Sequence, residues 1–384
     1  MIAVLAMALL LAACGSNPDK REDTNPRDLE KFDRKVDFKR QWSRGVGDGL
    51  GRFHARLQIG HSESAGVESD LAVASVDGRL LRLTQSGKRV WRVKLKEEFT
   101  AGVGVGAGIA VVANNRAEIV AFDWAGGAER WRVNVNGEVL ATPQVSAGIV
   151  VVQTSDGRLM GLNAGDGSNL WTYKYDVPIL TLRGTATPRI VEGILYAGLS
   201  NGKLLVLDLQ TGQVMFDRAL ALAKGDSEIE RIIDVEGTPF VDTRSVYAAS
   251  FQGAAFAFDI RAGKPRWRFE VSTYLDLAAG FDNVYVVDDR SRILAISTGS
   301  GALEWESEEF LNRSLSSPVI FNGFLVIGDK KGFLHVISQV DGTVVGRSRV
   351  DSAGLRAPML VLNKKLFVLS NEGKLASYSL GRLN

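Results

Sequence analysis

Cysteine is almost missing from this chain: Cys14 is the only one in 384 residues. A single thiol excludes an internal disulfide and any multi-thiolate metal centre. Histidine is nearly as scarce. His54 and His61 stand in a Gly/Ser-rich segment and His335 in the apolar stretch KGFLHVIS, so no spacing offers a clustered ligand set. An excess of one charge is lacking too, since 46 Lys and Arg against 44 Asp and Glu leave a formal +2. That balance argues against a nucleic-acid partner, which needs a basic footprint. Long apolar runs are absent as well, and the opening MIAVLAMALLLAA (1–13) is too short to cross a bilayer. Walker, EF-hand and Ser/His/Asp patterns do not occur. AGVGVGAGIAVVANN (101–115) lacks both the Gly-x-Gly-x-x-Gly spacing and the following helix of a dinucleotide loop. Asp288, Asp289 and Asp329 fall at predicted hairpin turns, where Asp serves backbone geometry rather than a catalytic pair. The expectation is a protein without catalytic residues, metal or cofactor.

What the chain does have is a repeat. In DGRLMGLNAGDGSNLW (156–171) two Asp-Gly pairs flank an alternating apolar segment that closes on tryptophan. This predicts strand, hairpin and strand, with type I′ turns at the Asp-Gly pairs. The pattern is a small anchor, an apolar residue five later, a glycine near ten and an aromatic near fourteen. It recurs as Gly78/Leu83/Gly87/Trp91, Ala117/Phe122/Gly127/Trp131, Gly157/Leu162/Gly167/Trp171 and Gly202/Leu207/Gly212/Phe216. The series continues as Gly253/Phe258/Gly263/Trp267, Ser291/Ile296/Gly301/Trp305 and Gly332/Ile337/Gly342/Gly346, and an eighth copy starts at Gly373/Tyr378. Each period also holds an apolar run such as GIVVVQTS (148–155), and several have a small-residue-Pro strand start such as ATPQV (141–145). Four short strands in roughly 40 to 45 residues, with no convincing helix, are the signature of a propeller blade.

The predicted fold is all-β: an eight-bladed β-propeller of four-stranded blades over residues 35–384. The eighth copy lacks its outermost strand, and KVDFKRQW (35–42), ending on Trp42, supplies one. An N-terminal strand closing the last blade removes an open edge. Six of the seven tryptophans take the motif's final position and are expected in the core between blades, whereas Trp124 does not. Gly346 empties that position in blade seven, which predicts looser packing there.

Residues 1–13 fit the apolar region of a signal peptide, although without its usual Lys or Arg. LAAC (11–14) places small residues before the only cysteine and resembles the lipobox of bacterial lipoproteins, so Cys14 is the expected lipidation site. Gly15 follows it rather than Asp, which by resemblance to enterobacterial-type sorting points to the outer membrane. The rest of 14–34 is charged, carries two prolines and reads as a flexible tether holding the ring near the periplasmic face of that membrane.

Function on a regular scaffold resides in what breaks the repeat. The motif aromatics are 40 residues apart from Trp91 to Trp131 to Trp171, then 45 apart to Phe216 and 51 to Trp267. The extra length lies in DVPILTLRGTA (176–186) and DRALALAKGDSEIERIIDVEG (217–237), connectors between consecutive blades. Four antiparallel strands per blade place both on one face of the ring, as neighbours. The first offers Ile179, Leu180 and Leu182 beside Arg183. The second has Ser227-x-x-Glu230, a capping box opening a short helical turn, and ends in Asp234 and Glu236. Apolar anchors beside Arg and carboxylates are an interface composition. The alternative is internal, with the leucines tucked under the loops and Arg183 paired to Asp234 or Glu236.

The lipobox and eight-copy repeat, with LTLRG (180–184), SEIERIIDVEGTP (227–239) and GDKKGFLHVI (328–337), resemble the BamB family of outer-membrane protein assembly factors, propeller lipoproteins of the β-barrel assembly machinery. The resemblance covers essentially the whole mature chain. It implies a non-enzymatic scaffold that docks on the periplasmic POTRA domains of the central barrel subunit through Leu180, Leu182, Arg183, Asp234 and Glu236. It also implies help with folding and insertion of outer-membrane proteins. Direct binding of unfolded clients by strand addition at a blade edge stays open, with no residue to name. A reading from another class is a quinoprotein dehydrogenase, whose eight-bladed ring carries similar tryptophan repeats. This chain has neither the adjacent cysteine pair of many such enzymes nor an evident calcium cluster or lid. A third reading is a propeller scaffold of another envelope complex.

Overall fold

The computed structural model describes residues 25–51, 55–62, 69–182, 186–221 and 226–383. Among them the strands form eight sheets, each with four antiparallel strands, and one sheet takes a short fifth strand, Arg56–Leu57. Blade three shows the plan: an inner strand A, Gln144–Ser146, then B, Ile149–Thr154, C, Arg158–Asn163, and an outer D, Asn169–Lys174. Strand B is buried along its whole length because each blade is sandwiched between two neighbours, and so its sequence is a continuous apolar run.

The turns divide differently from the sequence expectation. Positive φ at both central residues occurs at the A–B turn, Ala147 (48°) and Gly148 (77°), which is the type I′ geometry. At the B–C turn only Gly157 is positive, at 86°, and its N–H returns to the Thr154 carbonyl at 3.2 Å. Asp156 is free to accept a bond from Thr154 Oγ1 instead, at 2.5 Å.

The motif's glycine and aromatic are two halves of one contact. Trp171 Nε1 donates to the Leu209 carbonyl of the next blade at 2.9 Å, and a Cβ on Gly212 would stand 2.6 Å from the indole. The same arrangement joins Trp42 to Gln85 and Gly87, Trp91 to Trp124 and Gly127, Trp131 to Ala164 and Gly167, Trp267 to Thr298 and Gly301, and Trp305 to Gln339 and Gly342. Trp124, the tryptophan outside the motif, therefore serves it through its backbone. A bulge at the residue before the motif's final D-strand position re-aims the side chain there: Leu170 is skipped in blade three, as are Gln41, Val90, Arg130, Met215, Arg266 and Glu304 before the other aromatics and Val345 before Gly346. Bulges also twist an exposed edge away from further pairing.

Ring closure explains Gly346. Strand D of blade eight is Val36–Gly45, antiparallel to Lys374–Arg382, so the N-terminal strand closes the last blade as expected. Blade eight therefore has no C–D hairpin and no glycine to receive an aromatic from blade seven. Val36 takes the space: its Cγ2 lies 2.7 Å from where a Cβ on Gly346 would stand, in a buried cluster with Phe38, Val336 and Val345. The looser packing expected of blade seven is not found.

The tether expected over 14–34 is corrected from Asn25 onward. Arg27 N–H donates to the Leu311 carbonyl at 3.0 Å, Arg313 Nη1 to the Arg27 carbonyl at 2.9 Å and Arg347 Nη1 to the Glu30 carbonyl at 3.1 Å. Leu29 and Phe32 pack on the core shared by blades six and seven. The charged composition of this stretch hid two apolar anchors and a row of backbone acceptors. Residues 1–24, with Cys14 and the expected signal peptide, lie outside the described residues.

Candidate docking site

The eight A strands surround a central channel of about 680 Å³, lined by Val105, Arg189, Phe240 and Met359 among others. On one face of the ring the two long connectors flank blade four, between strands ending at Lys174 and Ala219 and strands beginning at Arg189 and Phe240. They meet. Leu182 N–H donates to Asp234 Oδ2 at 2.5 Å, joining the middle of the first to the end of the second.

The second connector lies across the B–C turns of blades four and five. Val235 N–H donates to the Leu199 carbonyl at 3.2 Å and Phe251 N–H to the Asp234 carbonyl at 2.9 Å, and Ile233 and Val235 are buried beneath. Its capping box forms as expected: Ser227 N–H donates to Glu230 Oε2 at 3.2 Å and Glu230 N–H to Ser227 Oγ at 3.3 Å. These bonds close one turn, from Ile232 N–H to the Ile229 carbonyl at 3.3 Å, and no helix follows.

The expected interface residues separate by burial. Leu180 is 42% exposed and Leu182 half-buried, whereas Asp234 and Glu236 are only 1% and 7% exposed. Arg183 lies outside the described residues. Asp234 and Glu236, expected as contact residues, are buried instead: Asp234 holds the backbone of Leu182, and Glu236 holds Arg56. The Arg56 guanidinium stands 3.3 Å from Glu236 Oε2 and donates to the Glu236 carbonyl at 2.9 Å. Arg56 itself pairs beside Ala101 of blade two, and its carbonyl accepts Thr142 Oγ1 at 3.0 Å. With Gln58 and Ile59 lining the channel, this segment bridges the channel mouth from blade two to the connector entering blade five. Sequence reasoning missed Arg56, because an Arg in a Gly/Ser-rich stretch outside the repeat carries no periodic signal.

Burial pushes the Asp234 carboxyl up to about 7; the Leu182 N–H works in the opposite direction and the Glu236 charge adds to the rise. A folded-state pKa above the ordinary value means that the folded chain keeps a proton the unfolded chain releases. Stability from this group is full below about pH 4 and is lost as pH rises to about 7. Asp234→Asn keeps an acceptor oxygen for Leu182 and removes the titration. The decline of the thermal midpoint between about pH 4 and pH 8 should be smaller in this variant than in the parent; equal declines would show that Asp234 does not titrate there.

Among the described residues no group of three or more His, Cys, Asp or Glu could hold a metal. The family model for outer membrane protein assembly factor BamB matches residues 76–307, the span that holds both connectors. The assembly factor BamB of Pseudomonas aeruginosa is 42% identical over 379 residues, 98% of each chain. That of Escherichia coli is 34% identical over 347 residues, 88% of this chain and 87% of its own. Among solved structures, BamB from Moraxella catarrhalis superposes with a TM-score of 0.81 at 26% identity, over 89% of this chain and 99% of that one. A quinohemoprotein alcohol dehydrogenase from Comamonas testosteroni, at TM-score 0.69 and 12% identity over 91% of this chain and 78% of its own, shares the fold alone. The close relatives are assembly factors rather than enzymes. By the matched model and by near full-length identity, this chain belongs to the BamB family of outer membrane protein assembly factors.

Proposed function

We propose that this chain is a non-enzymatic scaffold of the β-barrel assembly machinery that docks on the periplasmic POTRA domains of the central barrel subunit through its two long connectors. The observation that carries the reading is their junction, in which the Leu182 backbone is fixed on buried Asp234. A loop held this way presents Leu180 to a partner with little ordering cost on binding. In this reading Leu180 and Arg183 make the contact, while Asp234 and Glu236 set the loop from beneath. Residues 1–13 are a signal peptide, Cys14 carries the lipid that keeps the chain at the periplasmic face of the outer membrane, and 35–384 are the ring. The bulged D strands favour a scaffold over a platform for strand addition by unfolded clients.

Arg183→Glu should weaken binding to purified POTRA domains by more than about thirtyfold, the loss usual for reversing a charge at an interface hot spot. The thermal midpoint should be unchanged. Parental binding by a folded Arg183→Glu protein overturns the docking site. A lowered midpoint with parental binding would make Arg183 an internal partner of the connectors.

A further inference from the structure

We infer that Ile229, at the crest of the second connector, is a further docking residue, forming with Ile179 and Leu180 the apolar centre of the contact with a folded partner domain. The inference rests on the docking reading above and adds to it an exposed contact residue on the second connector. Ile179 is 89% exposed and Ile229 68% exposed. Single exposed apolar residues are ordinary on a protein surface. These two sit on adjacent connectors of one face, and the connectors are joined by the bond between Leu182 and Asp234.

Ile229 is also held in place. The reciprocal bonds of Ser227 and Glu230 close the turn around it, and its carbonyl accepts both Ile232 N–H and, at 3.3 Å, Gln252 Nε2 of blade five. A few residues on, the same connector buries Ile233 and Val235 against blade four, so its inward apolar positions are already filled. A turn that presents an isoleucine outward from a fixed base is preorganised for contact, and its lost exposure is gained only when a partner covers it.

The rim identifies the chemistry of the partner. Glu228 and Arg231 stand beside Ile229 as an exposed pair, 3.6 Å apart, with Asp226 and Glu230 on the same turn. An apolar centre within a mixed, mostly acidic rim fits a folded protein surface and disfavours an anionic lipid surface. The occupant inferred is therefore the folded POTRA domain engaged by Leu180 and Arg183.

The test compares Ile229→Asp, Ile229→Val and Arg183→Glu in binding to purified POTRA domains, with thermal midpoints measured alongside. Ile229→Asp should weaken binding roughly tenfold or more, Ile229→Val should stay near the parent, and both should melt with it. If Ile229→Asp lowers the midpoint, Ile229→Ser takes its place under the same expectation. Loss of binding in Arg183→Glu with parental binding in Ile229→Asp overturns this inference and leaves the docking reading standing. Parental binding in both variants overturns the docking reading and this inference with it. Two other results would also overturn the inference by giving Ile229 a different occupant. One is Ile229-dependent cosedimentation with phosphatidylglycerol vesicles; the other is Ile229-dependent self-association in sedimentation velocity.

Discussion

Replacing Trp171 by alanine should lower the free energy of unfolding by about 3–5 kcal/mol, the range for emptying a large buried aromatic site. The indole lies buried between blades three and four, over Gly161 of its own blade and Gly212 of the next. Its Nε1 donates to the Leu209 carbonyl at 2.9 Å. Truncation would open space on both blades and leave that buried carbonyl without its donor, so the cavity and hydrogen-bond costs add. Trp171→Phe should recover most of the loss. The ring contains its own precedent, since Phe216 covers Gly263 where six other copies use tryptophan, with no indole N–H. Denaturant unfolding of the two variants measures both effects. A loss under about 1 kcal/mol for the alanine variant would place it among ordinary surface substitutions and remove the repeat aromatics from the core.

That contact also shows why so much of the fold was legible. A blade repeats the same few requirements seven or eight times: a turn glycine, an apolar strand and an aromatic to reach the next glycine. Each therefore stands out as a period, and closure by residues 35–42 followed from the one strand the period lacked. Contacts made once have no period to reveal them. Val36 fills the space above Gly346 from the far end of the chain, and Arg56 reaches Glu236 across 180 positions of sequence. Asp234 and Glu236 belong with these: carboxylates at a connector's end read equally as contact residues or as partners of Arg183, and only the fold shows that a backbone N–H and the Arg56 guanidinium come to meet them. The over-long connectors were legible as breaks in the period, while the burial of Asp234 and Glu236 beneath them required the structure.

Asp329→Ala should destabilise the ring by about 3–5 kcal/mol, because it strands a buried charge. The sequence assigns Asp329 to a hairpin turn, and Oδ1 does that work, accepting the N–H groups of Lys331 and Phe333 at 2.9 Å each. Oδ2 makes a second set of contacts in the interior: Arg313 donates to it through Nη2 at 2.6 Å and Nε at 2.9 Å, and His335 Nε2 stands at 3.2 Å. All three side chains are buried, and Arg313 also grips the Arg27 carbonyl of the N-terminal segment. Burial alone would raise the Asp329 carboxyl, but the bonds from His335 and Arg313 hold it down at about 2. Burial keeps His335 below its ordinary value despite the carboxylate beside it. Both folded-state values are depressed, so both groups contribute stability at neutral pH that is lost on acidification. The His335 part is lost first, as pH falls below about 6.5 and the unfolded chain takes up a proton, and the Asp329 part follows between about pH 4 and pH 2. Removing the carboxylate leaves Arg313 without its counter-charge, whereas Asp329→Ala combined with Arg313→Met removes both charges and should recover part of the loss. Denaturant unfolding of the single and double variants at neutral pH, repeated near pH 3, separates these contributions. The single variant should lose most at neutral pH and differ least from the parent in acid. A neutral-pH cost under about 1 kcal/mol, or a double variant less stable than the single one, would mean that Arg313 is solvated without Asp329 and that the cluster is not an ion pair of the core.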